Sequence, residues 1–205
     1  MNLLLNAKGQ KRILIIMFYL CPLDSLSLCV EFPLQFSIMI LETERLYLRE
    51  LTLNDVDAML SIWGDAETML YYPQAYDRKM LTALMEKQFK SYEQNGYGLW
   101  AMILKSEEKL IGDCGIMQQE VGGVIEVEVG YHVNRNYWGK GYAPEAARAC
   151  FEYGFQQLQQ SRMISMIRPE NKPSRRVAEK NGLQIEKEIF WRGFQHLVYF
   201  CNSIQ

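Results

Sequence analysis

The chain has 205 residues, of which 49% are hydrophobic and 22% are charged, and this balance allows a sizeable buried core. The composition excludes a disordered tail, a collagen-like rod and a low-complexity linker. A net charge of −2 provides no basic field for nucleic acid, and no apolar run has the length of a membrane-spanning helix.

The five cysteines are widely separated along the chain, and no CxxC motif occurs among them. With only His132 and His196 as further ligands, neither a zinc site nor a disulfide framework has the residues it needs. We therefore expect a reduced, cytoplasmic protein without a metal.

Residues 1–38 differ from the rest of the chain in their pattern of apolar and charged residues. An apolar run over 13–20 follows three basic residues, which is the layout of a secretory signal, but the run is short and no small-residue cleavage site follows it. Three interpretations stay open: an upstream extension with Met39 as the natural start, a loosely packed arm, and a signal or membrane-surface segment. We predict that 1–38 lies outside the catalytic domain, which occupies 39–205.

The spacing of apolar residues predicts one α+β domain without internal repeats. Thr52 and Asp77 are good N-caps for the first two helices, and Gly96 is a typical residue at a helix end. In chain order the predicted elements are strand 39–51, helix 53–63, helix 78–94, strands 98–104, 109–117 and 124–133, helix 143–158, strand 162–167, helix 174–181, and strands 184–191 and 194–202. The three strands before the third helix are expected to form an antiparallel meander.

The most informative stretch is 125–147, with the sequence IEVEVGYHVNRNYWGKGYAPEAA. Alternate residues of its strand half share a face, which places Glu128 and His132 on the same side. Two glycines in the WGKGYA loop let the backbone turn and expose its N–H groups, and Pro144 suits the first turn of a helix. Together they predict an anion site, because free N–H groups and the positive end of a helix dipole converge there on a phosphate.

A second segment, NKPSRRVAEKNGL at 171–183, and the opening LETERLYLRE at 41–50 complete a pattern. It resembles the GNAT superfamily of N-acetyltransferases, most closely the RimJ/RimL-type branch that acetylates ribosomal-protein N-termini. The resemblance covers about 41–202 and favours Met39 as the start of the chain. It implies a GNAT-like mixed, mostly antiparallel twisted sheet of about seven strands, with helices on both faces and a splayed central strand pair.

The resemblance implies acetyl-CoA as co-substrate and assigns residues to it. Val133 would pair its main chain with the pantetheine arm, and Asn171 would hydrogen-bond that arm or a water near the thioester. Backbone N–H groups of the glycine loop would hold the pyrophosphate; these belong to Gly139, Lys140, Gly141, Tyr142 and Ala143.

Two residues are predicted to be catalytic. Glu128 occupies the strand position where many members of the family place a general base. The tyrosine that protonates the leaving thiolate in many members would fall at Ala178, so that donor is missing, and Ser174, one helical turn earlier, is the substitute we name. Other interpretations stay open: Glu128 on a solvated strand face, Ser174 as a helix cap, and His132 as a structural histidine.

Four aromatic residues are candidates for the wall of an acceptor cleft, with ordinary core or rim packing as the alternative: Tyr71, Tyr72, Trp191 and Phe194. The expected reaction is direct transfer of acetyl to a primary amine, preferably a protein or peptide N-terminus. The alternatives are a small amine (a polyamine, amino acid or aminoglycoside) and a catalytically inactive acyl-CoA-binding protein. Monomer and homodimer both remain open, and neither nucleic acid nor membrane is expected as a partner.

Overall fold

The computed structural model describes residues 3–5, 11–14 and 38–203. The strands are β1 Leu3–Leu5, β2 Lys11–Leu14, β3 Ile38–Glu42, β4 Leu46–Glu50, β5 Leu99–Leu104, β6 Lys109–Val121, β7 Val124–Val133, β8 Arg162–Ile167, β9 Gln184–Trp191 and β10 Phe194–Asn202. The helices are α1 Val56–Trp63, α2 Arg78–Asn95, α3 Tyr142–Gln156 and α4 Lys172–Lys180. A short 3-10 turn precedes α1, and another follows β7.

All the strands lie in one sheet with the order β1-β2-β3-β4-β5-β6-β7-β8-β10-β9. Every neighbouring pair is antiparallel except β7 and β8, which run parallel. Parallel strands need a long crossover connection, and the segment between β7 and β8 that contains α3 provides it. The predicted mixed, mostly antiparallel sheet is confirmed.

Strand β5 shows why helices cover the sheet on both sides. All six of its residues, LWAMIL, are buried, as in a strand with two covered faces. Leu99 and its alternates pack against α1 and α2, whereas Trp100 and its alternates share a core with α3 and α4. The sheet is therefore sandwiched between two helical layers, and a polar side chain in its middle meets protein rather than bulk water.

The predicted helix ends are confirmed where local chemistry sets them. The Asp77 carboxylate accepts a hydrogen bond from the Met80 amide at 2.7 Å, which is the N-cap contact of α2. Gly96 ends that helix with φ 81°, in the left-handed region that glycine adopts without strain. The predicted helix 53–63 starts instead as a 3-10 turn with Thr52 at its N-cap position, where the Thr52 main-chain N–H donates to Asp55 at 2.7 Å, and α1 begins only at Val56.

The predicted first strand, 39–51, is wrong as a single element. A turn at 43–45 divides it into β3 and β4, because the Thr43 hydroxyl accepts the Leu46 N–H at 3.1 Å and thereby satisfies a donor that a continuous ladder would use. Helix α4 begins two residues before its predicted start, since Asn171 caps it by accepting the Ser174 N–H.

The N-terminal segment contributes two short strands, because β2 pairs with β3 and β1 pairs with β2. The rest of that segment lies outside the described residues, so the division into 1–38 and 39–205 stays a prediction. In the described part of the chain, no helix combines the length and apolar character needed to cross a membrane.

Candidate active site

The sheet opens between its two parallel strands. Strands β7 and β8 share a single ladder pair, Glu128 with Ile164, so beyond it no further pairing joins them in the described structure. The hydroxyl of Ser165 donates to the Val129 carbonyl at 2.7 Å, and this side-chain bond replaces part of the missing ladder. The predicted splayed pair is therefore present, and the gap opens toward the end of β7 that leads to α3.

Glu128 lies at the start of this gap and is buried, with 7% of its surface exposed. Its carboxylate accepts a hydrogen bond from the Met166 main-chain N–H at 2.9 Å, a donor that has no partner on β7. Burial raises the pKa of Glu128 to about 7, although hydrogen bonds from Met166 and Gln119 and the charge of Arg192 act in the opposite direction. A carboxylate with this pKa exchanges protons near neutral pH, as a general base should.

The glycine loop before α3 exposes its main-chain donors. Gly139 has φ 75° and Gly141, the N-cap residue of α3, has φ 85°, two left-handed conformations that turn the chain sharply into the helix. Within the described part of the chain, none of the N–H groups from Gly139 to Ala143 donates a hydrogen bond to a protein acceptor. Free donors at a helix N-terminus form an anion site, so the loop fits a diphosphate.

A contact between distant residues braces this loop. The Glu145 carboxylate in the first turn of α3 accepts the Thr43 hydroxyl at 2.6 Å and the Arg45 main-chain N–H at 2.9 Å. The Arg45 side chain forms an ion pair with Glu145 and donates to the Lys140 carbonyl at 2.9 Å. Burial acts to raise the pKa of Glu145, but these hydrogen bonds outweigh it and hold the pKa low. The turn between β3 and β4 therefore fixes the loop from outside and neutralises the carboxylate nearest to it.

Val133 ends β7 and is buried, as a residue along the gap should be. Its carbonyl already accepts the Trp138 indole N–H at 2.6 Å, and the Trp138 side chain is half-exposed above it. A hydrogen bond from a pantetheine arm would therefore use the second lone pair of this carbonyl, beside the indole.

Helix α4 brings two predicted residues to the other side of the gap. Asn171 uses its Oδ1 atom to cap the helix, which leaves its side-chain N–H groups as donors. The Ser174 hydroxyl does not cap the helix but lies 2.9 Å from the hydroxyl of Tyr131 on β7. Ala178 is buried, so no donor takes the place of the missing tyrosine there. The hydroxyls of Tyr131 and Ser174 are therefore the candidates for protonating the leaving thiolate.

His132 lies on the face of β7 that carries Glu128, opposite to Tyr131, and joins a buried polar chain. Its Nδ1 atom lies 2.9 Å from Asp113 Oδ1 on β6, and its Nε2 atom lies 2.6 Å from the Tyr72 hydroxyl. The Trp63 indole N–H donates to Asp113 Oδ2 at 2.6 Å. Asp113 is 0% exposed and His132 is 8% exposed, while Tyr72 retains 38% of its surface. The chain thus runs from the interior to the hydroxyl of a tyrosine that is partly exposed.

The other aromatic candidates lie apart from this chain. Tyr71 is half-buried beside Tyr72. Trp191 lies under the Arg192 guanidinium at 4.1 Å, and Phe194 lies under the Arg168 guanidinium at 4.3 Å, both near the turn that joins β9 and β10. Among the described contacts, the turn interacts with the site only through the charge of Arg192, which lowers the pKa of Glu128. The cleft between these segments stays a prediction.

Three features of the site were not predicted from the sequence. Asp113 carried a signal, since an acid inside the apolar run LIGDCGIM has to find partners once that strand is buried. The pair of Arg45 and Glu145 carried none, because 100 residues separate them. Tyr131 looked like one more apolar member of its strand face.

Known proteins that are similar to this chain indicate its family. A family model described as an acetyltransferase (GNAT) domain matches residues 45–184. The uncharacterized N-acetyltransferase p20 of Bacillus licheniformis is 32% identical over 163 residues, which cover 76% of this chain and 86% of that protein. The crystal structure of a GNAT-family acetyltransferase from Bacillus anthracis superimposes with a TM-score of 0.68 and 29% identity, covering 80% of this chain and 98% of the other. RimL, a ribosomal L7/L12 alpha-N-protein acetyltransferase solved with coenzyme A, has a TM-score of 0.66 at 16% identity over 80% of this chain and 97% of its own, a likeness of fold.

Proposed function

The chain belongs to the GNAT family of acetyltransferases and is an N-acetyltransferase, and on that premise we propose that it moves the acetyl group of acetyl-CoA to a protein or peptide N-terminus. The gap between β7 and β8 carries this proposal. It has a buried carboxylate with a pKa of about 7 at its start and a loop of free main-chain donors at its mouth. A long acyl thioester laid along it would end with its carbonyl near Glu128.

The donor would be held mainly by main-chain groups. Amides from Gly139 to Ala143 would bind the diphosphate, Asn171 would donate to the pantetheine arm, and the edge of β7 near Val133 would pair with that arm. Because glycine loops present donors at fixed positions, this arrangement selects a diphosphate by geometry as well as charge.

The brace of the loop gives a first prediction. Substituting Arg45→Met leaves the Glu145 carboxylate without its counter-ion beside the N-terminus of α3, so acetyl-CoA should bind about tenfold more weakly, roughly 1.4 kcal/mol. Calorimetry with acetyl-CoA measures this directly. The double variant Arg45→Met/Glu145→Gln should recover most of the affinity, and Arg78→Met, which removes an exposed partner of Asp57, should change nothing. An Arg45→Met variant with full affinity would contradict the brace.

The chemistry would begin with the acceptor. Only the free base of an amine attacks a thioester, and deprotonation at pH 7 costs about 1 kcal/mol for an α-amino group of pKa about 7.8 but about 4.6 kcal/mol for a lysine of pKa about 10.4. A single carboxylate of pKa about 7 suits the first task better. Glu128 would take the proton, directly or through a water, as nitrogen attacks the thioester carbon.

Collapse of the tetrahedral intermediate would then expel the thiolate of coenzyme A. A free thiol has a pKa of about 8.5, so this leaving group needs little protonation assistance. The Ser174 hydroxyl, held 2.9 Å from that of Tyr131, would return a proton to the sulfur, with solvent replacing it. This modest demand explains how the chemistry tolerates alanine at position 178.

The choice of a protein N-terminus rests on two supports, the pKa argument and the likeness of fold to RimL, whose printed name states its action on a protein N-terminus. A panel of acceptors with acetyl-CoA, read by release of free thiol, tests it. Each peptide carries one lysine and is supplied with a free and with an acetylated N-terminus; polyamines, amino acids and aminoglycosides complete the panel. We expect turnover of the free peptides and loss of turnover on blocking. Preferred turnover of a small amine would overturn the N-terminal assignment, whereas turnover of no amine would favour an inactive binding protein.

A further inference from the structure

The polar chain of Trp63, Asp113, His132 and Tyr72 has no part in the function proposed so far. It contains the buried carboxylate of Asp113 and ends on the Tyr72 hydroxyl, which bonds His132 on the same face of the sheet as Glu128. Glu128 and His132 are four residues apart on β7, about 13 Å along the strand, and Gly130 between them contributes no side chain to this face. The charge of Glu128, after burial and Asp113, helps to raise the pKa of Tyr72.

With a neutral His132, the hydrogen bonds of this chain have one consistent direction. An indole nitrogen only donates, and a carboxylate only accepts, so Asp113 takes one N–H from Trp63 and a second from His132 Nδ1. A neutral imidazole protonated at Nδ1 has an acceptor at Nε2. The Tyr72 hydroxyl must then donate to Nε2, and its oxygen is left with lone pairs alone on the side away from His132.

We propose that Tyr72 is a further catalytic residue, which accepts a hydrogen bond from the acceptor amine while Asp113 and His132 position its hydroxyl. This role rests on the proposed function. An amine that enters as ammonium presents several N–H donors: one faces Glu128, which removes a proton, and another faces the Tyr72 oxygen. A hydroxyl free to rotate would also offer a donor, which repels an ammonium group; fixing the proton toward His132 removes that alternative.

The proton direction is tested without any substrate. The chain has two histidines, so ¹⁵N-histidine labelling of the full protein, with His196→Gln for assignment, resolves the ring nitrogens of His132 by NMR. We expect a proton on Nδ1 and an unprotonated Nε2 near neutral pH. A proton on Nε2, alone or together with one on Nδ1, turns the tyrosine hydroxyl outward and overturns the proposal.

The contact with the amine is tested by Tyr72→Phe. Loss of one hydrogen bond should lower kcat/KM for the amine about tenfold, leaving the affinity for acetyl-CoA and the position of the pH limb unchanged. The matched control is Tyr76→Phe, because the Tyr76 ring also packs on Trp63, at 4.9 Å, and it should retain full activity. Asp113→Asn should place the proton on Nε2 and cost as much as Tyr72→Phe, and the double variant should be no worse than either single one.

The outcomes separate two failures. Wild-type turnover that Tyr72→Phe retains in full overturns the role of Tyr72 and leaves the proposed function in place. Absence of amine turnover in the wild type counts against the proposed function itself. Since Asp113→Asn alters a fully buried group, Tyr72→Phe and the NMR tautomer decide the question if that variant fails to fold.

Discussion

Replacing Glu128 by glutamine should lower kcat/KM for an amine acceptor by about 10² to 10⁴, the usual contribution of a general base. Glutamine keeps the shape and an oxygen for the Met166 N–H, so the gap should stay intact and acetyl-CoA should bind as before. In the wild type, turnover should rise as pH passes about 7, because the base acts only when deprotonated, and Glu128→Gln should keep only the later rise that follows deprotonation of the amine itself, at about pH 7.8.

Initial rates across pH, with calorimetry for acetyl-CoA, check this expectation. The matched control is Glu126→Gln, two residues earlier on the same strand face, where the carboxylate forms an ion pair with Arg162 at 3.2 Å. That variant should retain the wild-type rate and pH profile. Equal turnover of Glu128→Gln and the wild type would show that another group takes the proton.

The same substitution has a signature in stability. A carboxyl whose pKa rises on folding from 4.5 to about 7 binds its proton more tightly in the native state, so the wild type should lose stability as pH rises between these values. The loss is on the order of 3 kcal/mol at 1.36 kcal/mol per unit. Denaturant unfolding at pH 4 and pH 8 should therefore find Glu128→Gln more stable than the wild type at pH 8 and similar to it at pH 4.

Substitution of Gly141→Asp should weaken acetyl-CoA binding more than a hundredfold. A carboxylate about 5 Å from a phosphate charge repels it by about 3 kcal/mol at an effective dielectric constant of about 20. Arg45 offers little compensation, since its guanidinium is already paired with Glu145 and lies 3.3 Å from the position of the new Cβ atom. Calorimetry with acetyl-CoA gives the dissociation constant.

Gly122→Asp is the control for backbone strain. Gly122 lies in the turn between β6 and β7 with φ 60°, and its new Cβ would meet no atom within 4 Å, so this variant introduces the same charge in a left-handed conformation away from the loop. Both variants should lose a similar, small amount of thermal stability, and Gly122→Asp should keep full affinity. Matched losses of affinity would assign the effect to strain or net charge instead of the loop.

Local chemistry explains which parts of the fold were predictable. The caps Asp77 and Gly96 act on their own helix, and the glycine loop acts on the helix that follows it, so short stretches of sequence determine them. The alternation along β7 likewise gives the face of Glu128 and His132 directly. These elements are confirmed in the structure, as is the family of the chain.

Features that depend on packing could not be predicted in the same way. Which partner an acid such as Asp113 finds depends on the register of β6 against β7 and on the position of α1. The division of the first strand at Thr43 depends on a hydroxyl that competes for one ladder donor, which an alternating pattern does not reveal. The catalytic roles of Glu128 and Ser174 stay predictions.

The ion pair between Arg45 and Glu145 also bears on the order in which the protein matures. It closes a segment of 100 residues, and contacts of such high sequence separation form late, after the loop-closure entropy has been met by other interactions. In a partly folded chain, the Glu145 carboxylate in the first turn of α3 would lack its counter-ion Arg45. Such a chain would have little affinity for the coenzyme. Ligand would then accumulate on the native state alone and add its binding free energy to that state, so cellular coenzyme would protect finished molecules without trapping immature ones.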